Sequence, residues 1–321
     1  HERYSSIPLL ERIDEISLKI AEIEFRGNKS RAKQIRKWLR ERLNISIDMK
    51  EIYKEFFRSN EFKKVYDKEL PDSYLNKLDS KDISYEDACL FVYMKSLLTF
   101  LGYDYMIEQT IIDEAQDYNV LQYILLKKIL RKSKFTILGD INQTINPYYE
   151  YKSLEDLKQV FPDSVNYIEL NKTYRSSPEI IEHANRILGL NLVSAIRRDT
   201  HIPVEFRHED NLKEQLSNDI NNLKKNNRSI AIITKTDTEA TDIYKLLKRD
   251  FEELTLIANN SKAFSRELVV IPSYMAKGLE YDATIVYTHT NNQFSYKERY
   301  LYYVACTRSQ HHLIIYNQKE A

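Results

Sequence analysis

The sequence predicts an α/β protein with an all-helical start. Two observations carry this. From Leu9 to Phe25 apolar residues recur at three- and four-residue steps, the period of a helix, and the first eighty residues read as all-helical. Beyond them, short apolar runs alternate with amphipathic helical stretches, the pattern of parallel sheets covered on both faces.

The elements follow in order. Leu9, Ile13, Ile16, Ile20 and Ile23 line one face of a helix over Leu9–Phe25. Lys29–Arg42 reads as a basic helix, with Lys29, Arg31, Lys33, Arg36, Lys37, Arg40 and Arg42 around an apolar stripe of Ile35, Trp38 and Leu39. Such a charged face either touches phosphates or is merely solvated. Helix is expected over Ile52–Leu70, stopped by Pro71, and again over Ser84–Tyr103. Strands are expected at Thr110–Ile112, Phe135–Leu138, Tyr167–Leu170, Val204–Phe206, Ile230–Thr234, Leu254–Ile257, Leu268–Ile271, Thr284–Tyr287 and Leu313–Tyr316. Helices are expected at Val120–Arg131, Pro178–Leu188, Leu212–Leu223, Thr238–Leu247 and Lys297–Ala305. The polar, tyrosine-rich stretch Pro147–Asp163 reads as the link between two α/β units.

Length and composition narrow the class. The 321 residues suffice for one large or two medium domains. With 42% hydrophobic and 30% charged residues, the chain is globular rather than disordered, and no apolar run reaches the length of a membrane helix. Lys+Arg and Asp+Glu both number 48, so any anion site must be local. The two cysteines, Cys89 and Cys306, make neither a disulfide framework nor a zinc knuckle, and a reducing, cytoplasmic compartment is expected.

Chemistry concentrates after two strands and at two arginines. Thr110–Ile112 leads directly into Asp113-Glu114-Ala115-Gln116-Asp117. At a strand's carboxyl end, Asp113 could bind magnesium through water while Glu114 orients an attacking water. The other reading is an acidic cap on the next helix. Gly139-Asp140-Ile141-Asn142-Gln143 repeats the placement, with Gln143 able to hydrogen-bond a phosphate or water, or else forming an ordinary turn. Arg175 and Arg308 offer forked donors suited to phosphate, although a surface ion pair is the usual fate of one arginine.

Taken together, the order of these segments resembles the UvrD/Rep-like superfamily 1 helicases. Asp113–Asp117 is similar to their motif II, Gly139–Gln143 to motif III, Thr173–Ser176 to motif IV, Lys277–Asp282 to the motif V region and Tyr303–Arg308 to motif VI. The resemblance implies two RecA-like parallel-sheet motor domains, the first incomplete, with ATP and Mg2+ bound between them. It implies Asp113 as the magnesium-side carboxylate, Glu114 as the catalytic base and Gln143 as the γ-phosphate sensor. It implies Tyr174 on adenine, Arg175 and Arg308 on the γ-phosphate, Glu280 near ribose and phosphates, and Asp140 and Gly278 in the nucleotide-binding segments. Tyr148, Tyr274 and Lys277 fall where nucleic acid is contacted, with a packed tyrosine the alternative at Tyr148. The implied partition is 1–84 helical insertion of the first motor domain, 85–163 the carboxyl-terminal part of that domain, and 164–321 the second motor domain.

The finer resemblance is to the HelD-like, helicase IV-like branch. Ala88–Leu101 leading into Ile111–Tyr118, and the segment Tyr274–Asp282, look like that branch. Tyr274 stands where UvrD-type members usually carry a DNA-contacting histidine, which puts that contact in doubt. About a hundred residues separate Arg175 from Lys277, too few for a large second accessory domain. The partner implied is DNA, single-stranded in particular, or, by the HelD resemblance, RNA polymerase bound and released. No G-x-x-x-x-G-K-[ST] loop occurs in the sequence, and Gly27-Asn28-Lys29-Ser30 reads as a turn between helices. The chain therefore reads as the carboxyl-terminal portion of a longer motor whose amino-terminal half is a partner, and as inactive alone.

Overall fold

The computed structural model describes residues 7–43, 48–66, 70, 72–77, 83–99, 102, 104, 106–145, 153–161, 165–189, 193–196, 201–208, 210–258 and 267–318. The chain divides into two compact units: residues 1–113 with 118–138, and residues 114–117 with 139–321.

In the first unit, α1 (Leu9–Phe25) and α2 (Lys29–Arg42) pack on one another. Their turn is made by Arg26 and Gly27, both left-handed, after which the Asn28 side chain accepts from the Ser30 and Arg31 amides and starts α2. Glycine suits such a turn because it has no Cβ to clash at positive φ. The expected helix over Ile52–Leu70 is instead two, α3 (Met49–Arg58) and α4 (Asn60–Val65). Ser59 is extended and caps the second, so its side chain competes with helix continuation. The short α5 (Asp72–Lys77) and α6 (Tyr85–Leu98) follow. Tyr53, Phe57 and Leu75 form an aromatic core with Phe62 and Phe91 packed against it.

One carboxylate ties that core together. Asp87 accepts hydrogen bonds from the Tyr53 hydroxyl at 3.1 Å, the Ser84 hydroxyl at 2.8 Å and the Tyr74 hydroxyl. The unit ends in β1 (Gln109–Ile112), the crossover helix α7 (Val120–Ile129) and β2 (Lys134–Ile137), the two strands pairing in parallel. Ile112 is buried but Ile111 is 68% exposed, so the strand expected to be buried is covered on one face only.

The second unit begins its regular structure with β3 (Lys172–Thr173), α8 (Pro178–Leu188) and β4 (Ser194–Ala195), the two short strands pairing in parallel. A six-stranded parallel sheet follows, built from β5 (Glu205–Arg207), β6 (Ile230–Thr234), β7 (Thr255–Leu256), β8 (Leu268–Pro272), β9 (Tyr281–Tyr287) and β10 (Ser309–Tyr316). Its order is β5-β10-β9-β6-β8-β7. The helices are α9 (Leu212–Leu223), α10 (Asp237–Leu247) and α11 (Arg299–Cys306).

The apolar run of β6 shows why this sheet needs two covers. Ile230 and Ile232 pack with Leu216 and Ile220 of α9 and Ile243 and Leu247 of α10. Ala231 and Ile233 pack on the other face with Ile180 of α8 and Tyr302, Ala305 and Cys306 of α11. Alternate residues thus find separate cores, the requirement of a parallel strand. The fold is α/β with parallel sheets and a helical amino-terminal region, consistent with RecA-like domains. Tyr167–Leu170, expected as a strand, is unpaired; Leu170 is 84% exposed. Apolar alternation makes a strand possible, but pairing needs a neighbour that local sequence cannot supply.

Candidate active site

The second unit gathers most of the predicted residues around one buried guanidinium. Arg308 lies between α11 and β10 and is only 1% exposed. Its Nε donates to the Val304 carbonyl at 3.1 Å, Nη1 to the Leu279 carbonyl at 3.3 Å and Nη2 to Gln143 Oε1 at 2.8 Å. Burial, and then the charge of Arg175, lowers its pKa to about 10, with Glu114 and Glu280 pulling it back up. It stays cationic at neutral pH. A cation this deep is tolerable because carbonyls and nearby carboxylates replace its water.

Arg175 and Glu280 sit at the rim. Arg175 Nε pairs with Glu280 Oε1 at 2.6 Å, and Gln310 Nε2 donates to Glu280 Oε2 at 3.0 Å. Both members of the ion pair are about two-fifths exposed, so the pair is weakened by solvent. Tyr174 beside them is largely exposed. The Ser176 hydroxyl donates to the Ser309 carbonyl at 2.6 Å, and the Tyr281 amide to the Arg308 carbonyl at 3.0 Å. These bonds lock the segments of Arg175, Glu280 and Arg308 to one another at the amino ends of β9 and β10.

The two acidic segments are joined by an amide. Gln116 is buried; its Nε2 donates to Glu114 Oε2 at 2.7 Å and its Oε1 accepts from the Asp140 amide at 3.0 Å. Gly139 permits this approach, since a Cβ there would lie 2.7 Å from Gln116 Oε1 and 2.8 Å from Ala115 Cβ. Asp140 then accepts from the Asn142 amide at 2.9 Å and from Gln143 Nε2 at 2.8 Å, leaving Gln143 Oε1 for Arg308. Glu114 has a left-handed backbone, φ 51°, a conformation disfavoured for a residue with a Cβ. Lys277 Nζ, its side chain mostly buried, reaches both Asp117 oxygens at 2.8 Å and Glu114 Oε2 at 3.4 Å.

Asp113 is exposed at the end of β1 in the first unit. The Tyr274 hydroxyl donates to the Asp237 carboxylate, at 2.8 and 3.0 Å from its two oxygens. Gly278 is exposed, with φ 77° in the turn before Glu280. Tyr148 lies outside the described residues. Sequence reasoning missed Gln116 and Asp117 as individuals. Only their place within the acidic segment pointed to them.

The network defines a class of site: two guanidiniums, one of them buried, an amide between a cation and a carboxylate, and an exposed aromatic alongside. Such a set of groups has the chemistry to hold an anion. Residues 7–153, a range that includes the helical start, match the family described as UvrD/REP helicase N-terminal domain. The chain is 30% identical over 194 residues to the ATP-dependent DNA helicase Rep of Buchnera aphidicola subsp. Baizongia pistaciae, covering 59% of this chain and 28% of that protein. It is 35% identical over 88 residues to the ATP-dependent DNA helicase Rep of Escherichia coli, covering 26% of this chain and 13% of that protein. The chain thus spans less than a third of the length of these relatives. Among solved structures, the C-terminal domain of a possible DNA helicase from Lactobacillus plantarum is 28% identical, at a TM-score of 0.38 over 45% of this chain and 86% of that one. Over part of its length the chain is thus similar to UvrD/REP-type helicases.

Proposed function

We propose that the chain is part of an ATP-dependent DNA helicase or translocase motor, and that the Arg308 network is its nucleotide-phosphate site. The observation that carries this is Arg308 Nη2 on Gln143 Oε1 at 2.8 Å, a buried cation bonded to an amide far away in sequence. A buried guanidinium needs acceptors in any role; what favours a γ-phosphate site is that one of them is an amide that can hydrogen-bond phosphate, so a sensor and a cation stand together. The residues fit magnesium–ATP in chemistry. Arg175 can trade Glu280 for a phosphate oxygen, and Tyr174 offers an exposed ring for adenine. No cluster of three acidic, histidine or cysteine ligands exists among the described residues, so a magnesium ion would rest on Asp113, water and the phosphates themselves.

In this reading Glu114 takes the proton of the attacking water, and its left-handed backbone with the Gln116 bond fixes where that oxygen points. Gln143 would report the γ-phosphate to Arg308, and Arg308 would steady the charge on the γ-phosphoryl group as water attacks it and ADP leaves. Bound magnesium–ATP supplies the reacting phosphoanhydride. Asp140 and Gly278 shape the nucleotide-binding turns, while Tyr148, Tyr274 and Lys277 are proposed to act toward nucleic acid. The proposed domains remain 1–84, 85–163 and 164–321. A cytoplasmic setting fits the buried free thiols Cys89 and Cys306, and no described helix is long and apolar enough to cross a membrane. The HelD-like reading, with RNA polymerase as partner, rests on the Tyr274–Asp282 segment and is tested by co-purification of polymerase subunits.

Titration of the chain with a fluorescent ATP analogue tests the site. The expected result is weak, magnesium-assisted binding that falls at least tenfold in Arg175→Ala and Tyr174→Ala. Turnover should be absent, because the sequence has no Walker A loop to cradle the phosphates. Binding unchanged in both variants overturns the assignment.

A further inference from the structure

The charges of α2 divide into two sets. Arg36 Nε lies 2.7 Å and Arg40 Nη2 3.5 Å from the same Asp14 oxygen of α1, so these two cations are paired within the helix hairpin. Ala32 is buried, and Ile35 and Leu39 are half-buried, on that same side. The expected apolar stripe therefore loses Trp38, which is 59% exposed. Lys29, Arg31, Lys33, Lys37 and Arg42 are also exposed, with Glu41 the one acid of the helix. Lys37 and Glu41 approach only to 3.9 Å with both side chains well solvated, a weak pair.

Arg31, Trp38 and Arg42 fall at intervals of seven and four residues, which sets an indole between two guanidiniums on one line along the helix. Lys33 and Lys37 form a second row, roughly 100–140° round the helix from Trp38, with Gln34 and Glu41 in the arc between the two rows. Arg31 is also held in place, its guanidinium 5.5 Å over the Phe25 ring and its Nη1 donating to Gln34 Oε1 at 2.9 Å.

We propose that this outward face of α2 binds single-stranded nucleic acid, with Trp38 stacked on a base and Arg31, Lys33, Lys37 and Arg42 on the phosphates. The proposal rests on the DNA-motor reading above and locates a contact surface outside the Arg308 network. Charge complementarity selects a polyanion, since the chain as a whole has no net charge to attract one. The exposed indole selects unpaired bases, because only a single strand presents base faces for stacking. On the helix Trp38 is neighboured by Arg31, Gln34 and Arg42, and by half-buried Ile35 and the acid Glu41, so its surroundings are mainly polar.

Trp38 is the single tryptophan of the sequence, so tryptophan emission reports on this face alone. The test titrates the full chain with fluorescein-labelled oligo-dT, reading both anisotropy and tryptophan emission. The expected result is saturable quenching that parallels binding and weakens steeply with salt. Lys33→Gln/Lys37→Gln/Arg42→Gln should lower the salt slope by about 2, at about 0.7 for each phosphate no longer neutralised. Trp38→Ala should weaken binding about tenfold, and these solvent-facing changes should leave the circular dichroism spectrum unaltered. Oligo-dT binding that leaves the tryptophan emission of the unsubstituted chain unquenched, with an affinity unchanged in both variants, overturns the proposal and leaves the DNA reading standing. Equal quenching by inorganic polyphosphate overturns the base-stacking assignment. Absence of any oligo-dT binding, with the ATP analogue still bound, sinks the DNA reading itself and this proposal with it.

Discussion

His183 shows how burial turns a side chain into a source of acid sensitivity. It lies fully buried on α8, its Nε2 3.2 Å from the Tyr302 hydroxyl and its ring edge-on to Phe206 and Tyr302. Burial, helped by the charge of Arg186, lowers its pKa from 6.5 to about 4. The unfolded chain therefore takes up the proton first as pH falls. Stability present above pH 6.5 is lost progressively toward pH 4, by about 2 kcal/mol at pH 5 from this residue. Urea unfolding at pH 7 and pH 5 should show that loss in the native chain, and His183→Gln should lose about 2 kcal/mol less between the two pH values. An equal pH dependence in both would place the acid sensitivity elsewhere.

At the scale of elements, α10 illustrates a cap that does two jobs. The Thr236 hydroxyl accepts from the Glu239 amide, and the Glu239 carboxylate accepts from the Thr236 amide. The other oxygen of Glu239 accepts from the His289 amide at 3.0 Å and from Asn292 Nδ2 at 3.1 Å, which ties the loop after β9 to the start of α10. Lys235 secures the same loop through the Gln293 carbonyl at 3.0 Å and Glu298 at 2.9 Å. Thr236→Ala should cost about 1 kcal/mol, the usual worth of an N-cap. Glu239→Ala should cost about 1 to 2 kcal/mol more, since it also removes the acceptor of the part-buried His289 amide and Asn292 side chain. Denaturant midpoints of the two variants check the order, and an equal loss would mean that the loop does not depend on Glu239.

For the whole molecule, stability is distributed unevenly along the chain. β6, β8 and β9 lie in the sheet's middle with almost every residue buried, whereas α1 and α2 bury only Ile13, Ser17, Ala21 and Ala32. Amide hydrogen exchange should be slowest at residues such as Ile232, Val270 and Ile285 and much faster along α1 and α2, because exchange follows the local cost of opening. Slow exchange along the α1–α2 hairpin would contradict this distribution.

Much of this molecule was legible in the linear sequence because its signals are local. Leu9–Phe25, Lys29–Arg42, Pro178–Leu188 and Leu212–Leu223 form helices with the bounds that apolar spacing and capping residues indicate. The runs at Ile230–Thr234 and Leu268–Ile271 form strands because short runs rich in β-branched residues suit a sheet covered on both sides. The acidic and arginine segments were visible as chemistry for a related reason: each is short and contiguous. Tertiary structure alone decided which strands pair, left Tyr167–Leu170 without a ladder and turned Trp38 outward while Arg36 and Arg40 closed on Asp14. It also set Arg308 against Gln143 and Lys277 against Asp117. These are contacts between residues far apart in the chain, and no local period or motif records a distance that exists only once the sheet has closed.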